Sequence, residues 1–299
     1  MNIDEFSGRR SPESLAAGQE VVNVIVEHSD FKRVYDSCLD VVTTMLALKM
    51  PGGVLVQADS GMGKTLLLQH VKKQLLVPSG DGRSATCLDV SLDSTVDTHR
   101  MAGAVMRALG YPMLPTRPNL ENMNHLVGKG LARLKPKALL IDEMQHICEG
   151  NRDITARAVT DWLKVRMDAF NLPVLGVGTR ALERLSVINP QFTGRVSTNF
   201  VITPFPFGTE WRQLLGAFSA AVSKVNLVIV NGAAAKLIHD ATQGNLRALK
   251  RLLMYAAMHA AERPAKEVNL EDLAHAHDDG NGPAPGQANP FWRVKTKSS

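Results

Sequence analysis

Apolar side chains recur along this chain in two rhythms, and the switches between them mark its organisation. Phe31, Val34, Tyr35, Cys38, Leu39, Val42 and Met45 keep a three-and-four spacing, which predicts an amphipathic helix over 31–48. Pro51-Gly52-Gly53 ends it, and Val54-Leu55-Val56-Gln57-Ala58 has the length and apolar character of a buried strand. A helix is expected from Lys64 to about Leu76. Further apolar runs predict strands at Ala85–Val90, Ala138–Asp142, Val174–Gly178 and Phe200–Thr203. Helical stretches separate them, at roughly Val96–Leu109, Asn119–Leu134 and Ile154–Phe170. Apolar strands alternating with helices predict an α/β fold, a parallel five-stranded sheet flanked by helices on both faces.

After Phe205 the strand signals stop. Trp211–Val225, Ala233–Thr242, Leu246–Ala261 and Leu270–His277 predict a small all-helical C-terminal domain. The expected parts are an extended or partly ordered arm (1–30), an α/β domain (31–205), a helical domain (206–279) and a flexible Gly/Pro/Asn-rich tail (280–299).

Composition changes this picture little. The 299 residues are 44% hydrophobic, enough for a real core, and no apolar run approaches the roughly 18 residues that span a bilayer. The first residues, MNIDEFSGRR, lack the apolar core of a signal peptide, so the expectation is a cytoplasmic protein with no membrane partner. Cys38, Cys87 and Cys148 are too scattered for a disulfide framework or a metal cluster. Charge is uneven. Six acids against two arginines give residues 1–31 a net −4, leaving +9 on the rest of a chain whose total is +5. A basic body is compatible with polyanion binding.

The chemistry begins at Ala58-Asp59-Ser60-Gly61-Met62-Gly63-Lys64-Thr65, set between a predicted strand and a predicted helix. This is the context of a phosphate-binding loop. Gly61 and Gly63 let successive backbone N–H groups turn inward, and the helix opening at Lys64 and continuing through Leu66 adds its positive N-terminal dipole. Lys64 is expected on the β- and γ-phosphates of ATP, and the Thr65 hydroxyl on Mg²⁺. Ala58 stands where the usual pattern begins with Gly; a small residue serves there if its φ is negative.

Lys137-Ala138-Leu139-Leu140-Ile141-Asp142-Glu143 is an apolar strand ending in two carboxylates, 77 residues beyond Thr65. In a parallel sheet, functional groups gather at carboxyl strand ends. Asp142 is expected to hold the Mg²⁺ shell and Glu143 to act as general base on the attacking water. Thr179, at the tip of the Val174–Gly178 strand, is the candidate sensor of the γ-phosphate and equally a helix N-cap. Arg195, just before the fifth strand, is the candidate arginine finger toward a neighbouring subunit's nucleotide, with Arg180 and Arg184 as rivals. Arg247, in the first turn of a predicted helix, is a cation where the helix dipole disfavours one, which suggests a role in binding nucleotide.

The segments A-D-S-G-M-G-K-T, L-L-I-D-E-M-Q-H-I, V-L-G-V-G-T-R, Q-F-T-G-R-V and G-N-L-R-A-L together resemble those of the AAA+ transposition regulators called TniB and TnsC, over about residues 28–277. Asn289-Pro290-Phe291 is similar to a recurring C-terminal element of TniB-like chains, and Asn289–Trp292 is a candidate partner-binding peptide. The resemblance implies a P-loop AAA+ ATPase with a C-terminal helical lid. It implies homo-oligomers, as rings or helical filaments on double-stranded DNA. It also implies recruitment of a DDE transposase (TniA/TnsB type), often with a TniQ-type targeting protein, and hydrolysis that releases or remodels the assembly. Gly194 and Val196 flank Arg195 where members more often carry polar and aromatic residues. In such regulators the region after the second strand lines the DNA channel, which singles out Arg100, Arg117 and Lys129 for sequence-independent phosphate contact. The other readings are an AAA+ ATPase of another class, such as a helicase loader or a secretion-associated ATPase, and a nucleotide-binding adaptor with negligible hydrolysis.

Overall fold

A computed structural model describes residues 10–26, 29–76, 86–93, 96–112, 119–150, 153–281 and 289–292. The elements run α1 (Pro12–Asn23), α2 (Ser29–Leu48), β1 (Gly53–Ala58), α3 (Lys64–Leu75), β2 (Leu88–Ser91), α4 (Thr98–Ala108), α5 (Leu120–Leu134), β3 (Leu139–Asp142), α6 (Asp153–Phe170) and β4 (Val174–Gly178). They continue with α7 (Leu185–Ile188), α8 (Pro190–Arg195), β5 (Thr198–Ile202), α9 (Thr209–Ala221), α10 (Val228–Asn231), α11 (Ala235–Thr242), α12 (Leu246–Ala261) and α13 (Leu270–Asn281). Short 3₁₀ turns occupy Met144–Ile147 and Arg180–Arg184. None of the described helices is long and apolar enough to cross a membrane.

The chain divides into two compact units, Ser29–Thr203 and a second that joins the segment up to His28 with everything from Pro204 onward. In the first unit the sheet order is β2-β3-β4-β1-β5, with every pairing parallel. After β1 the chain crosses to the far edge, walks back through β2, β3 and β4, then passes β1 to reach β5. The carboxyl ends of β1, β3 and β4 therefore lie side by side, where open α/β sheets bind ligands. All six residues of β1 are buried, as befits a strand covered on both faces. β5 begins two residues ahead of the expected strand, because Thr198 and Asn199 belong to an edge whose residues alternate between exposed and half-buried. Leu55, Leu139, Ile141 and Val174 share one core with Val159 and Leu163 of α6.

The second unit corrects two expectations. The N-terminal stretch read as an arm contains the helix α1, capped by Ser11 with Pro12 in its first turn. Its buried face is Ser14, Ala17, Gly18 and Val21, and small or polar residues there hide the amphipathic signal. Ser14 Oγ donates to the Met258 carbonyl at 2.9 Å, and a Cβ on Gly18 would lie 2.8 Å from the Met258 side chain, so α1 lies close against α12. The tail is not wholly loose either. Asn289 Nδ2 donates to the Ala274 carbonyl and to Asp278 Oδ1, both at 2.8 Å, and Phe291 is buried. The short helix α10 went unread; its four residues carry too little periodicity to detect.

All three cysteines are free and buried, and burial pushes their thiols up to about 12, 11 and 12 for Cys38, Cys87 and Cys148. They are packing residues rather than nucleophiles.

Candidate nucleotide site

The loop after β1 takes the shape its glycines allow. Gly61 and Gly63 have φ of 85° and 88°, in the left-handed region where a Cβ is strained. Nothing crowds Gly63, whose added Cβ would meet only Phe31 at 3.8 Å, so the torsion and not the space selects glycine there. Ala58 is not among the positive-φ residues; it ends β1 paired with Ile202, so replacing the usual glycine costs no backbone strain. Gly63 caps α3 without a side chain, leaving that helix end to a ligand's anionic groups. Lys64 is 6% exposed, and its Nζ donates to the carbonyls of Ala58 (3.0 Å) and Asp59 (3.2 Å). The ammonium thus sits folded over the loop. Ser60 and Thr65 are exposed, Met62 is fully buried, and Leu66 is half-buried beneath the helix opening.

The acidic strand arrives beside this loop. Thr65 Oγ1 donates to Asp142 Oδ2 at 2.7 Å, joining two groups 77 residues apart. The Glu143 N–H donates to the other Asp142 oxygen at 2.8 Å. Glu143 itself is left-handed (φ 53°, ψ 36°), an unusual backbone for a glutamate and one that concentrates at functional sites. Its carboxylate accepts from Gln145 Nε2, while Gln145 Oε1 accepts the Thr179 N–H at 3.2 Å. Two glycines of β4 make this possible. A Cβ on Gly176 would lie 2.2 Å from Met144 Sδ, and one on Gly178 would lie 2.6 Å from Gln145 Oε1. Thr179 also caps the following turn through a long 3.4 Å bond from the Ala181 N–H, the capping role expected of it.

The arginines differ in how they are held. Arg195 closes α8 and makes a two-pronged ion pair with Asp168 of α6, Nε to Oδ1 and Nη2 to Oδ2, both 2.8 Å. Asp168 raises its pKa further. Arg180 and Arg184 are both exposed, and Arg184 is tied to the Cys148 carbonyl and to Asp153 (2.8 Å).

The family model described as "Bacterial TniB protein" matches residues 21–203, more than half of the chain. The chain belongs to the TniB family. No curated protein matches it. Among solved structures, the TniB-family chain is similar to the Aeropyrum pernix ORC2 protein, titled as ADPNP-ADP complexes, with a TM-score of 0.66 at 14% identity over 87% of this chain and 71% of that one. It is also similar to Drosophila ORC bound to DNA (TM-score 0.63, 16% identity, 90% of this chain) and spans only 66% of that chain's length. The Aeropyrum pernix ORC1 protein in complex with DNA follows at TM-score 0.60 and 15% identity, over 88% of this chain and 69% of that one. These likenesses establish the AAA+ fold, and with the family they make this TniB-family chain a P-loop ATPase that binds nucleotide.

The remaining expected residues are less concentrated. Arg100 of α4 lines a cleft of about 530 Å³ with His99, Arg107, Asp93 and Asp97, a wall of mixed charge. Lys129 is exposed on α5 and outside that wall, and Arg117 lies outside the described residues. Arg247 is exposed in the first turn of α12, whose N-cap Asn245 accepts from the N–H groups of Arg247 and Ala248. Gln145 is the member of the site that sequence reasoning passed over. The only available signal was a buried-strand motif followed by a polar residue two places beyond the acids, which alone does not separate a site residue from a turn residue.

Proposed function

We propose that this chain is an ATP-gated regulator of DNA transposition. In this reading it assembles with copies of itself on double-stranded DNA when Mg·ATP is bound, and recruits a transposase of the TniA/TnsB type. A TniQ-type protein selects the site, and hydrolysis ends the assembly. The observation that carries the reading is the TniB match over 21–203 on a chain whose phosphate loop and acidic pair meet at the Thr65–Asp142 bond. Two similar structures are titled as DNA complexes, which supports duplex DNA as the platform.

The residues divide the work. Loop amides between Asp59 and Thr65 and the ammonium of Lys64 take the phosphates, the latter exchanging two backbone carbonyls for phosphate oxygens. Thr65 and Asp142 present a hydroxyl and a carboxylate side by side, an oxygen donor set that fits Mg²⁺. When bound, that ion neutralises charge on the β- and γ-phosphates. Glu143 accepts a proton from the attacking water, and Thr179 contacts the γ-phosphate. Arg195, on giving up Asp168, serves the nucleotide of a neighbouring copy, and Arg247 is a further nucleotide contact. Arg100, Arg117 and Lys129 contact DNA phosphates.

Electron microscopy of the protein with duplex DNA tests this directly. Rings or filaments are expected with a non-hydrolysable ATP analogue and not without it, nor with Lys64→Ala. Naked DNA under all conditions would sink the DNA-scaffold reading while leaving the ATPase intact.

A further inference from the structure

Gln145 has no place in the roles above, yet among the described residues its side chain bridges the tips of β3 and β4, which carry the proposed base and sensor. It is 3% exposed, and both ends of its amide are engaged. One end donates to the Glu143 carboxylate, and the other accepts the Thr179 N–H. The orientation of the amide is fixed by chemistry, since a backbone N–H only donates and a carboxylate only accepts. Gly178 keeps the path clear, because a side chain there would collide with Gln145 Oε1 at 2.6 Å and press on its backbone nitrogen at 3.0 Å.

We propose that Gln145 is a positioning residue for hydrolysis, fixing the Glu143 carboxylate relative to the tip of β4 so that base and sensor act as one unit. The inference rests on Glu143 being the base. A carboxylate on a left-handed residue at the start of a 3₁₀ turn has little of its own to set its aim. Among the described residues, the hydrogen-bond partner of the Glu143 side chain is Gln145, itself held by the Thr179 N–H at the tip of β4. A shift at Thr179 on contact with phosphate is thereby passed to the base through two hydrogen bonds, without a change in the core beneath.

The test is a double-mutant cycle on the full chain. Gln145→Met keeps the length and burial of the side chain and removes both polar contacts. Its turnover number for ATP should fall about 10-fold or more, while KM, the affinity for a fluorescent ATP analogue and the melting temperature stay near wild type. Glu143→Gln, measured by single-turnover hydrolysis of radiolabelled ATP, should be strongly impaired, and adding Gln145→Met to it should cost nothing further. Gly178→Ala, which displaces the Gln145 amide by another route, should copy the Gln145→Met phenotype. The proposal is overturned if Gln145→Met hydrolyses ATP at the wild-type rate. An equal loss in the Glu143→Gln background overturns it too, as does a loss that appears in KM alone. Full activity in Glu143→Gln would instead overturn the assignment of the base.

Discussion

At the scale of single residues, the site holds one visible conflict between stability and use. Glu143 has a left-handed backbone, which costs a side-chain-bearing residue about 1–2 kcal/mol. In this conformation its carboxylate accepts a hydrogen bond from Gln145. A glycine at 143 is therefore expected to leave the melting temperature unchanged or raise it slightly, while abolishing turnover; a marked loss of stability would show that the torsion is not strained. Glu143→Gln, which keeps the torsion, should bind ATP normally and lose roughly 10²–10⁴ in turnover. Lys64 is different in kind. Its ammonium already satisfies two carbonyls, so Lys64→Ala removes a loop contact as well as the phosphate contact proposed for it. Loss of Mg·ATP binding by calorimetry is expected, together with a small drop in stability.

At the scale of elements, what the sequence reveals depends on how much of a side chain's surroundings are local. The shape of the proposed phosphate loop was legible because Gly61, Gly63, Lys64 and Thr65 set the backbone and helix end they themselves form. The strand before Asp142 was legible because a doubly covered strand needs a continuous apolar run. The Gln145 bridge was not, since it depends on Gly176 and Gly178 of another strand leaving room for it. The link between α6 and the segment carrying Arg195 was equally hidden. Asn189, 1% exposed, donates to Thr160 Oγ1 and Asp161 Oδ1, both at 2.9 Å, and caps α8 by accepting the Phe192 N–H at 3.2 Å. Asn189→Ala should cost about 2 kcal/mol, roughly half from the cap and half from the buried bonds, seen as a fall of several degrees in melting temperature. The Asn189 amide, with the Lys164 ammonium, also holds the Asp161 carboxyl below the usual carboxylate range. A depressed carboxylate stabilises the fold above its unfolded pKa near about 4, and that contribution fades as pH falls through the lower folded value. Asn189→Ala should accordingly flatten the acid limb of a stability-against-pH curve, whereas an unchanged limb would place the acid sensitivity elsewhere.

At the scale of the whole molecule, the family match and the division into units nearly coincide. The match spans 21–203, and the sheet-bearing unit spans Ser29–Thr203. Most of α1 and all of the C-terminal helices lie outside the matched stretch, and they belong to one another. Ala17 and Val21 are fully buried and Val24 nearly so, Glu20 accepts from Ser223 and from the Lys224 N–H, and Lys250 donates to the Val22 carbonyl. Fully burying a valine is worth about 1.5–3 kcal/mol, so α1 contributes several kcal/mol to the unit it joins. The N-terminal segment is thus a structural part of the C-terminal unit, separated from it in sequence by the entire ATPase sheet. A chain lacking residues 1–26 should uncover the α12 surface around Met254 and Met258, bind a hydrophobic dye and unfold less cooperatively. Its phosphate loop, held by the Lys64 and Thr65 bonds inside the sheet-bearing unit, should still bind Mg·ATP with near-native affinity. A truncated protein that melts like the full chain would show that α1 is a dispensable passenger. One that folds but no longer binds nucleotide would show that the two units are energetically a single body.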